Sequence, residues 1–314
     1  MAGQSLPNKL SISDAPRIAS YSLQDPAHPE VEIAQAEHRI DLVNRWNIAP
    51  RQPRPRDRVR AGQRDGRAGR SGRGGRVRRR RRPSTPDYGA PFTLAQAQAH
   101  LSASPVGSRI TWHRASPEDF LLQTAQQQQQ QTWDVAVLAH CIWYFASPQV
   151  LASILGALRQ QARVARVCVA EYALQATERA AAPHVLAALA TGMLESHQAP
   201  GESEANIRSL LGPAAIAEAA REAGWTREGE EEETTAAGTG GGGIVVPRAG
   251  LSDGSWEVGT VVGKGFAGEI EEHIADERVR LVLRSAREAT VAAVRGLGEG
   301  EKVRTMDVWV AAFV

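Results

Sequence analysis

The stretch from residue 51 to residue 82 limits what this chain can fold into more than any other. It holds 15 of the 37 basic residues in the 314-residue chain and only two of its 35 acids, Asp57 and Asp65. It has no Leu, Ile, Phe, Trp or Tyr, and its large aliphatic residues are Val59 and Val77 alone. Ordering a backbone costs roughly 1–2 kcal/mol per residue, and burial of apolar area is what offsets that cost. This segment has almost nothing to bury, so by itself it is expected to be disordered. The formal net charge of +2 therefore conceals a basic, coreless segment inside an acidic remainder.

The whole chain is 42% hydrophobic, and its length suits one large domain or two small ones with an ample buried core. No run reaches the roughly 18 apolar residues of a membrane-spanning helix. The first residues, MAGQSLPNKLSISDAPR, lack the apolar core of a secretory signal. Two cysteines, Cys141 and Cys168, cannot build a disulfide framework or a four-thiolate metal site, so no metal centre is expected. A reducing, cytoplasmic compartment is the default expectation.

Along the chain, residues 1–29 read as a disordered tail with Pro7, Pro16, Pro26 and Pro29. From Val31 to Trp46, Ile33, Ala36, Ile40 and Val43 share one stripe of an amphipathic helix. Residues 51–83 form the basic segment. A helix is expected over Thr93 to Leu101 and a short strand over Arg109 to His113 (RITWH). Gln126 to Gln131 is a solvated polar run. Trp133 to Ala139 (WDVAVLA) reads as a strand buried on both faces, Pro148 opens a helix through Arg159, and Val164 to Ala170 reads as another buried strand. Strand, helix, strand at this spacing predicts parallel βαβ units. A largely helical stretch from Ala176 to Ala223 follows. Residues 228–243 are a low-complexity flexible loop, Ile244 to Pro247 and Trp256 to Val262 read as strands, Glu269 to Arg295 as helix, and Val303 to Val314 as a final strand. These elements make one α/β domain over residues 30–314.

The runs TWDVAVLAHCIWYF, RVCVAEYAL, EAGW and KVRTMDVWVAAFV, with the helix ending in RWNIAP, resemble class I S-adenosylmethionine-dependent methyltransferases. The resemblance implies a Rossmann-like, doubly wound, mostly parallel sheet with an antiparallel final strand. It also implies S-adenosylmethionine as cofactor and a small-molecule acceptor as partner. In that family His140 and Cys141 would face the methionine end of the cofactor, and Ala115 and Ser116 would stand where adenine is contacted, with Glu118 and Asp119 nearby. Trp143, Tyr144, Glu171 and Tyr172 would line the acceptor pocket, beside Phe145. Methyl transfer depends on positioning more than on any universal catalytic residue. His140 as a general base is therefore set beside a structural strand-end role, and the aromatic residues beside plain core packing.

The same resemblance requires a first strand and a Gly-rich loop after RWNIAP, because the backbone must approach the cofactor where a side chain would block it. The chain reads RQPRPRDRVRAG there, with Arg alternating with Pro. A family-like text, R-V-L-E-I-G-C-G-Q-G, read one base early yields P-R-P-R-D-R-V-R-A-G, which is Pro53 to Gly62 at all ten positions. A second strand V-D-A-V-D-P shifted in the same way gives Arg78 to Pro83. Such a shift is tolerated in a GC-rich gene, in line with 34 Arg against three Lys. The segment thus reads as an out-of-frame translation of the cofactor-binding start. Two rival readings stand beside it: a catalytically empty methyltransferase-like protein, and binding of single-stranded nucleic acid through the Arg/Gly-rich Arg51 to Arg82.

Overall fold

Four apolar runs pair into one sheet in the computed structural model: β1 (Val135–Ala139), β2 (Arg166–Tyr172), β3 (Ile244–Arg248) and β4 (Thr305–Phe313). The structure describes residues 9–48, 92–126, 133–160, 164–199, 203, 205–229, 242–248, 251 and 253–314. Residues 1–8, the basic segment 51–83, most of the Gln run and most of the 228–243 loop lie outside the described residues. The strand order is β1-β2-β4-β3. β1 and β2 are parallel, with Val137 opposite Cys168. β4 runs antiparallel to both neighbours, with Ala170 opposite Val310 on one side and Val245 opposite Trp309 on the other. A late antiparallel strand inserted between parallel ones is the arrangement the sequence resemblance implies.

The helices are α1 (Ala15–Ala19), α2 (Pro29–Arg45), α3 (Leu94–Ala103), α4 (Pro117–Gln126), α5 (Pro148–Gln160), α6 (Ala182–Glu195), α7 (Pro213–Glu222), α8 (Asp253–Val262), α9 (Lys264–His273) and α10 (Glu277–Arg295). α5 is the crossover from β1 to β2. Its first residue, Pro148, sits where a missing N–H leaves no helical bond unmade. Leu151, Ile154, Leu155 and Leu158 then form the buried stripe.

Strand alternation divides the core into two layers. Val167 and Val169 of β2, with Trp309, Ala311 and Phe313 of β4, pack against α5 and α7. Cys168, Ala170 and Tyr172, with Met306, Val308, Val310 and Ala312, pack against Leu42, Trp46 and Ala188 on α2 and α6. A slip of one residue would exchange the two layers, so the register is strongly specified. A third cluster joins Leu194, Val258, Phe266, Ile270 and Leu283 across α6, α8, α9 and α10.

Buried polar groups lock these layers together. Asp307 Oδ2 accepts from Thr177 N (3.0 Å) and Thr177 Oγ1 (2.7 Å), which fixes the loop after β2 to β4. His184 is fully buried, and its Nδ1 accepts from the Met306 backbone N–H at 3.0 Å. That leaves the ring proton on Nε2, where it meets Glu257. One imidazole therefore ties α6, α8 and β4.

Four expectations are corrected. Trp256 to Val262 is the end of α8, not a strand: Val258 and Val261 are buried one turn apart while Trp256 is exposed. RITWH is no strand; a 3-10 turn ends at Arg109, and the exposed Trp112 donates to Ser102 Oγ at 2.9 Å. β1 is not buried on both faces. It stands at the edge of the described sheet, and Val137 is 50% exposed. The tail is structured from residue 10: the Leu10 backbone exchanges two 2.9 Å bonds with the Asn44 side chain. Ala15 and Ala19 of α1 are buried against Ala36 and Ile40 of α2.

Candidate functional site

In doubly wound sheets the functional crevice lies beyond the carboxyl ends of the strands. Here β1 ends at Ala139 and the next residue, His140, takes φ +50°, a left-handed conformation uncommon outside glycine. Its N–H still bonds Ala170 O at 2.9 Å, so the chain turns sharply without leaving β2. The turn carries Ile142 back toward Glu171 at the end of β2. Glu171 is 1% exposed; its Oε2 accepts from Ile142 N and its Oε1 from Tyr172 N, both at 3.0 Å. A buried carboxylate is tolerable only when held by donors in this way.

His140 Nδ1 lies 3.5 Å from Glu171 Oε1, and His140 Nε2 lies 2.7 Å from His38 Nε2. His38 comes from α2, more than a hundred residues earlier in the chain. The Tyr172 ring packs on His140 at 4.7 Å between centroids, on Trp143 at 5.2 Å and on His184 at 5.0 Å. Of the residues anticipated from sequence, His140, Trp143, Glu171 and Tyr172 thus come together around one point.

The others stand differently. Cys141 follows His140, and burial, with the Glu171 charge beside it, pushes its thiol up to about 12, so it is no nucleophile near neutral pH. Trp143 is buried and works as a strap: its Nε1 donates to Leu211 O at 3.0 Å, and its carbonyl accepts from Arg208 N at 2.8 Å. The strapped segment lines a cleft of ≈ 500 Å³ together with Ala146, Gln149, Gly192 and Glu195. Tyr144 is 46% exposed. Ala115 and Ser116 are exposed before α4, and Ser116 Oγ accepts from Asp119 N at 3.1 Å, so this hydroxyl caps a helix. A second concavity of ≈ 370 Å³, lined by Trp225, Arg227 and Phe313, lies at the opposite end of the sheet, where Phe313 pairs with Val167.

His38 escaped the sequence reading because α2 is buried on two sides. Ile33, Ala36 and Ile40 face α1, whereas His38, Leu42 and Trp46, each four residues apart, face the sheet and the site. That second i, i+4, i+8 stripe was the available signal. Burial, with the neighbouring His140 and then Arg248, lowers the pKa of His38 from 6.5 to about 3. The unfolded chain then binds a proton near pH 6.5 that the folded chain refuses until about pH 3. Stability is therefore complete above pH 6.5 and falls with pH through that window, by at most about 1.4 kcal/mol per pH unit. Between pH 7 and pH 5 the wild type is expected to lose about 2 kcal/mol more than His38→Gln, measured by urea denaturation.

S-adenosylmethionine needs a backbone cradle at the end of a strand as well as an acceptor wall. Among the described residues no glycine follows the end of β1 or β2, and the outer edge of β1 has no strand partner. The described residues alone do not fit the cofactor. Among them no group of three or more His, Cys, Asp or Glu side chains is placed to hold a metal ion, and no helix is long and apolar enough to cross a membrane.

No family model matches the chain. Methyltransferase phomM' and methyltransferase phomM of Diaporthe leptostromiformis are 32% and 31% identical to it over 254 residues. Each alignment covers 71% of this chain, which spans 62% of the length of either relative. The crystal structure of a cyclopropane-fatty-acyl-phospholipid synthase-like protein from Lactobacillus casei is similar to this chain with a TM-score of 0.53 and 31% identity, covering 74% of this chain and 72% of that one.

Proposed function

The chain belongs to the class I S-adenosylmethionine-dependent methyltransferase family, and from that premise we propose that its chemistry is S-adenosylmethionine-dependent methyl transfer to a small-molecule acceptor. The reading carries one condition. The cofactor-binding start must be supplied by the alternative reading frame across residues 51–83. No residue between Arg51 and Arg82 matches the family's pattern, so none inherits a cofactor role. The observation that carries the reading is the convergence of His140, Glu171 and Tyr172 at the carboxyl ends of two parallel strands, with Trp143 on the Tyr172 ring and bonded to Arg208 and Leu211, which line a cleft of ≈ 500 Å³. When bound, the cofactor supplies an electrophilic methyl group. The chain's residues position an acceptor, exclude water and manage its proton.

The test is the transcript sequence across codons 45 to 90. The expected result is one base fewer near codon 50 and a compensating change near codon 83, which restores a V-L-E-I-G-C-G-Q-G loop. Confirmed arginine codons would overturn the reading for this polypeptide. The Arg/Gly-rich segment would then be tested on RNA, where phosphate-driven binding weakens steeply with salt.

A further inference from the structure

We propose that the cleft between α6 and the strapped segment at residues 208–211 takes a carboxylate of the acceptor, with Arg208 receiving that carboxylate and Glu195 turning away a second negative charge. The proposal rests on the methyl-transfer reading for the ligand's role as acceptor.

The strapped segment has a fixed root. Trp143 O accepts from both Arg208 N (2.8 Å) and Ser209 N (3.1 Å), and Trp143 Nε1 donates to Leu211 O at 3.0 Å. On the other side α6 comes so close that a Cβ added at Gly192 would stand 2.7 Å from Leu210 Cβ, nearer than side chains approach. Two walls held in this way frame the cleft of ≈ 500 Å³, a volume that takes a small molecule. Arg208 lines it, half-buried, and its Nε is a buried donor with no hydrogen-bond partner. Among the described residues it makes no ion pair. A buried donor without an acceptor costs free energy, so an anionic oxygen brought to this guanidinium is bound with that cost relieved.

The chemistry of the cleft selects among anions. A guanidinium presents its N–H groups as a planar fork, and Nε–H with one terminal N–H matches the two oxygens of a carboxylate. Glu195 stands one turn beyond Gly192 on the same wall and is 7% exposed; its Oε1 accepts from Gln198 Nε2 at 3.1 Å. Burial raises its pKa, and Glu269 adds to the rise, while Ser203, His273 and Arg208 oppose it. Arg208 and Glu195 therefore feel each other without closing a salt bridge. One cation beside one buried acid accommodates a single negative charge, and a dianion such as phosphate meets repulsion from Glu195. Leu210 and Leu211 offer the rest of the ligand an apolar surface. Trp143, which roots the segment, carries the Tyr172 ring at 5.2 Å between centroids and so ties the cleft to the carboxyl ends of the strands.

The test uses the full chain and needs neither S-adenosylmethionine nor a known acceptor. Arginine Nε–H resonances are followed by proton–nitrogen NMR during titration with acetate, hexanoate and phenylacetate in mildly alkaline buffer. Hexanamide and phenylacetamide serve as uncharged twins. The Arg208 signal, identified by its loss in Arg208→Lys, is expected to move saturably with the carboxylates. The amides are expected to bind at least about tenfold more weakly, the worth of one charge-assisted hydrogen bond. Inorganic phosphate, doubly charged in this buffer, is expected to bind more weakly than phenylacetate, and Glu195→Gln to narrow that gap. Arg208→Lys keeps the charge without the fork and is expected to lose about tenfold for phenylacetate, read on backbone amides of residues 208–211. Arg284→Gln, on the exposed side of α10, is expected to keep the wild-type affinity. If Arg208→Lys folds poorly, the comparison of acid with amide in the wild type still decides. Equal binding of acid and amide, an Arg208 signal unmoved by all three carboxylates, or unchanged affinity in Arg208→Lys overturns the proposal. Phosphate binding more tightly than the carboxylates overturns the assignment of a singly charged ligand. Absent S-adenosylmethionine binding, measured separately, would remove the methyl-transfer reading and leave the carboxylate site standing.

Discussion

A chain whose codons for residues 51–83 are read one base over is expected to bind S-adenosylmethionine, and the chain with the Arg-rich text is expected to give no measurable heat of binding. Isothermal titration calorimetry on the two full-length proteins measures this directly. The restored text puts R-V-L-E-I-G-C-G-Q-G where residues 53–62 now read PRPRDRVRAG. Its apolar half has a place to go, the outer edge of β1, which has no strand partner among the described residues and where Val137 is 50% exposed. Its glycines allow the backbone to come within hydrogen-bond reach of the cofactor, which Arg and Pro do not. Losing several such contacts at about 1.4 kcal/mol per tenfold is expected to weaken binding more than about hundredfold. Equal affinity of the two proteins would show that residues 51–83 have no part in the cofactor site, and the frame argument would fall.

The largest effect on stability is expected from Trp309→Ala. Trp309 sits in β4 between β2 and β3, is 1% exposed, and packs on Phe313 at 6.4 Å between ring centroids. Its indole N–H donates to Gly242 O, so truncation leaves both a cavity and an unpaired carbonyl. A buried Trp cut to Ala costs about 3–5 kcal/mol, against a total stability of about 5–15 kcal/mol for a typical domain. Urea unfolding should show that loss with an unchanged slope, whereas Trp309→Phe should lose less. A cost below about 1 kcal/mol for the alanine variant would contradict the placement of β4 inside the sheet.

The elements legible from sequence were those whose pattern has one structural meaning. The apolar runs within 133–139, 164–170 and 303–314 each hold a strand, at Val135–Ala139, Arg166–Tyr172 and Thr305–Phe313; the helix after Pro148 shows an i, i+3, i+4, i+7 stripe. Misreadings came where one pattern has two meanings. SWEVGTVV is rich in β-branched residues, yet Val258 and Val261 fall one turn apart, and packing against α6 and α10 decides for helix. β1 read as doubly buried because its apolar content cannot report whether a neighbour is present. Half of the site was visible as strand-end residues, His140 and Glu171. His38 was not, because nothing local ties α2 to a strand a hundred residues on; only the three-dimensional packing of Leu42 and Trp46 brings it there.

The position of β4 also sets a timetable. β2 is complete at residue 172, but its antiparallel partner begins at residue 305, so one of the three strand pairings closes a loop of more than a hundred residues. Long-range closure of this kind is slow compared with the microsecond formation of helices such as α5 and α10. During that interval the apolar runs of β1 and β2 stand with open edges, the state in which chains stick to one another or are taken up by chaperones. The yield of folded protein is therefore expected to depend on how fast β4 arrives between its neighbours.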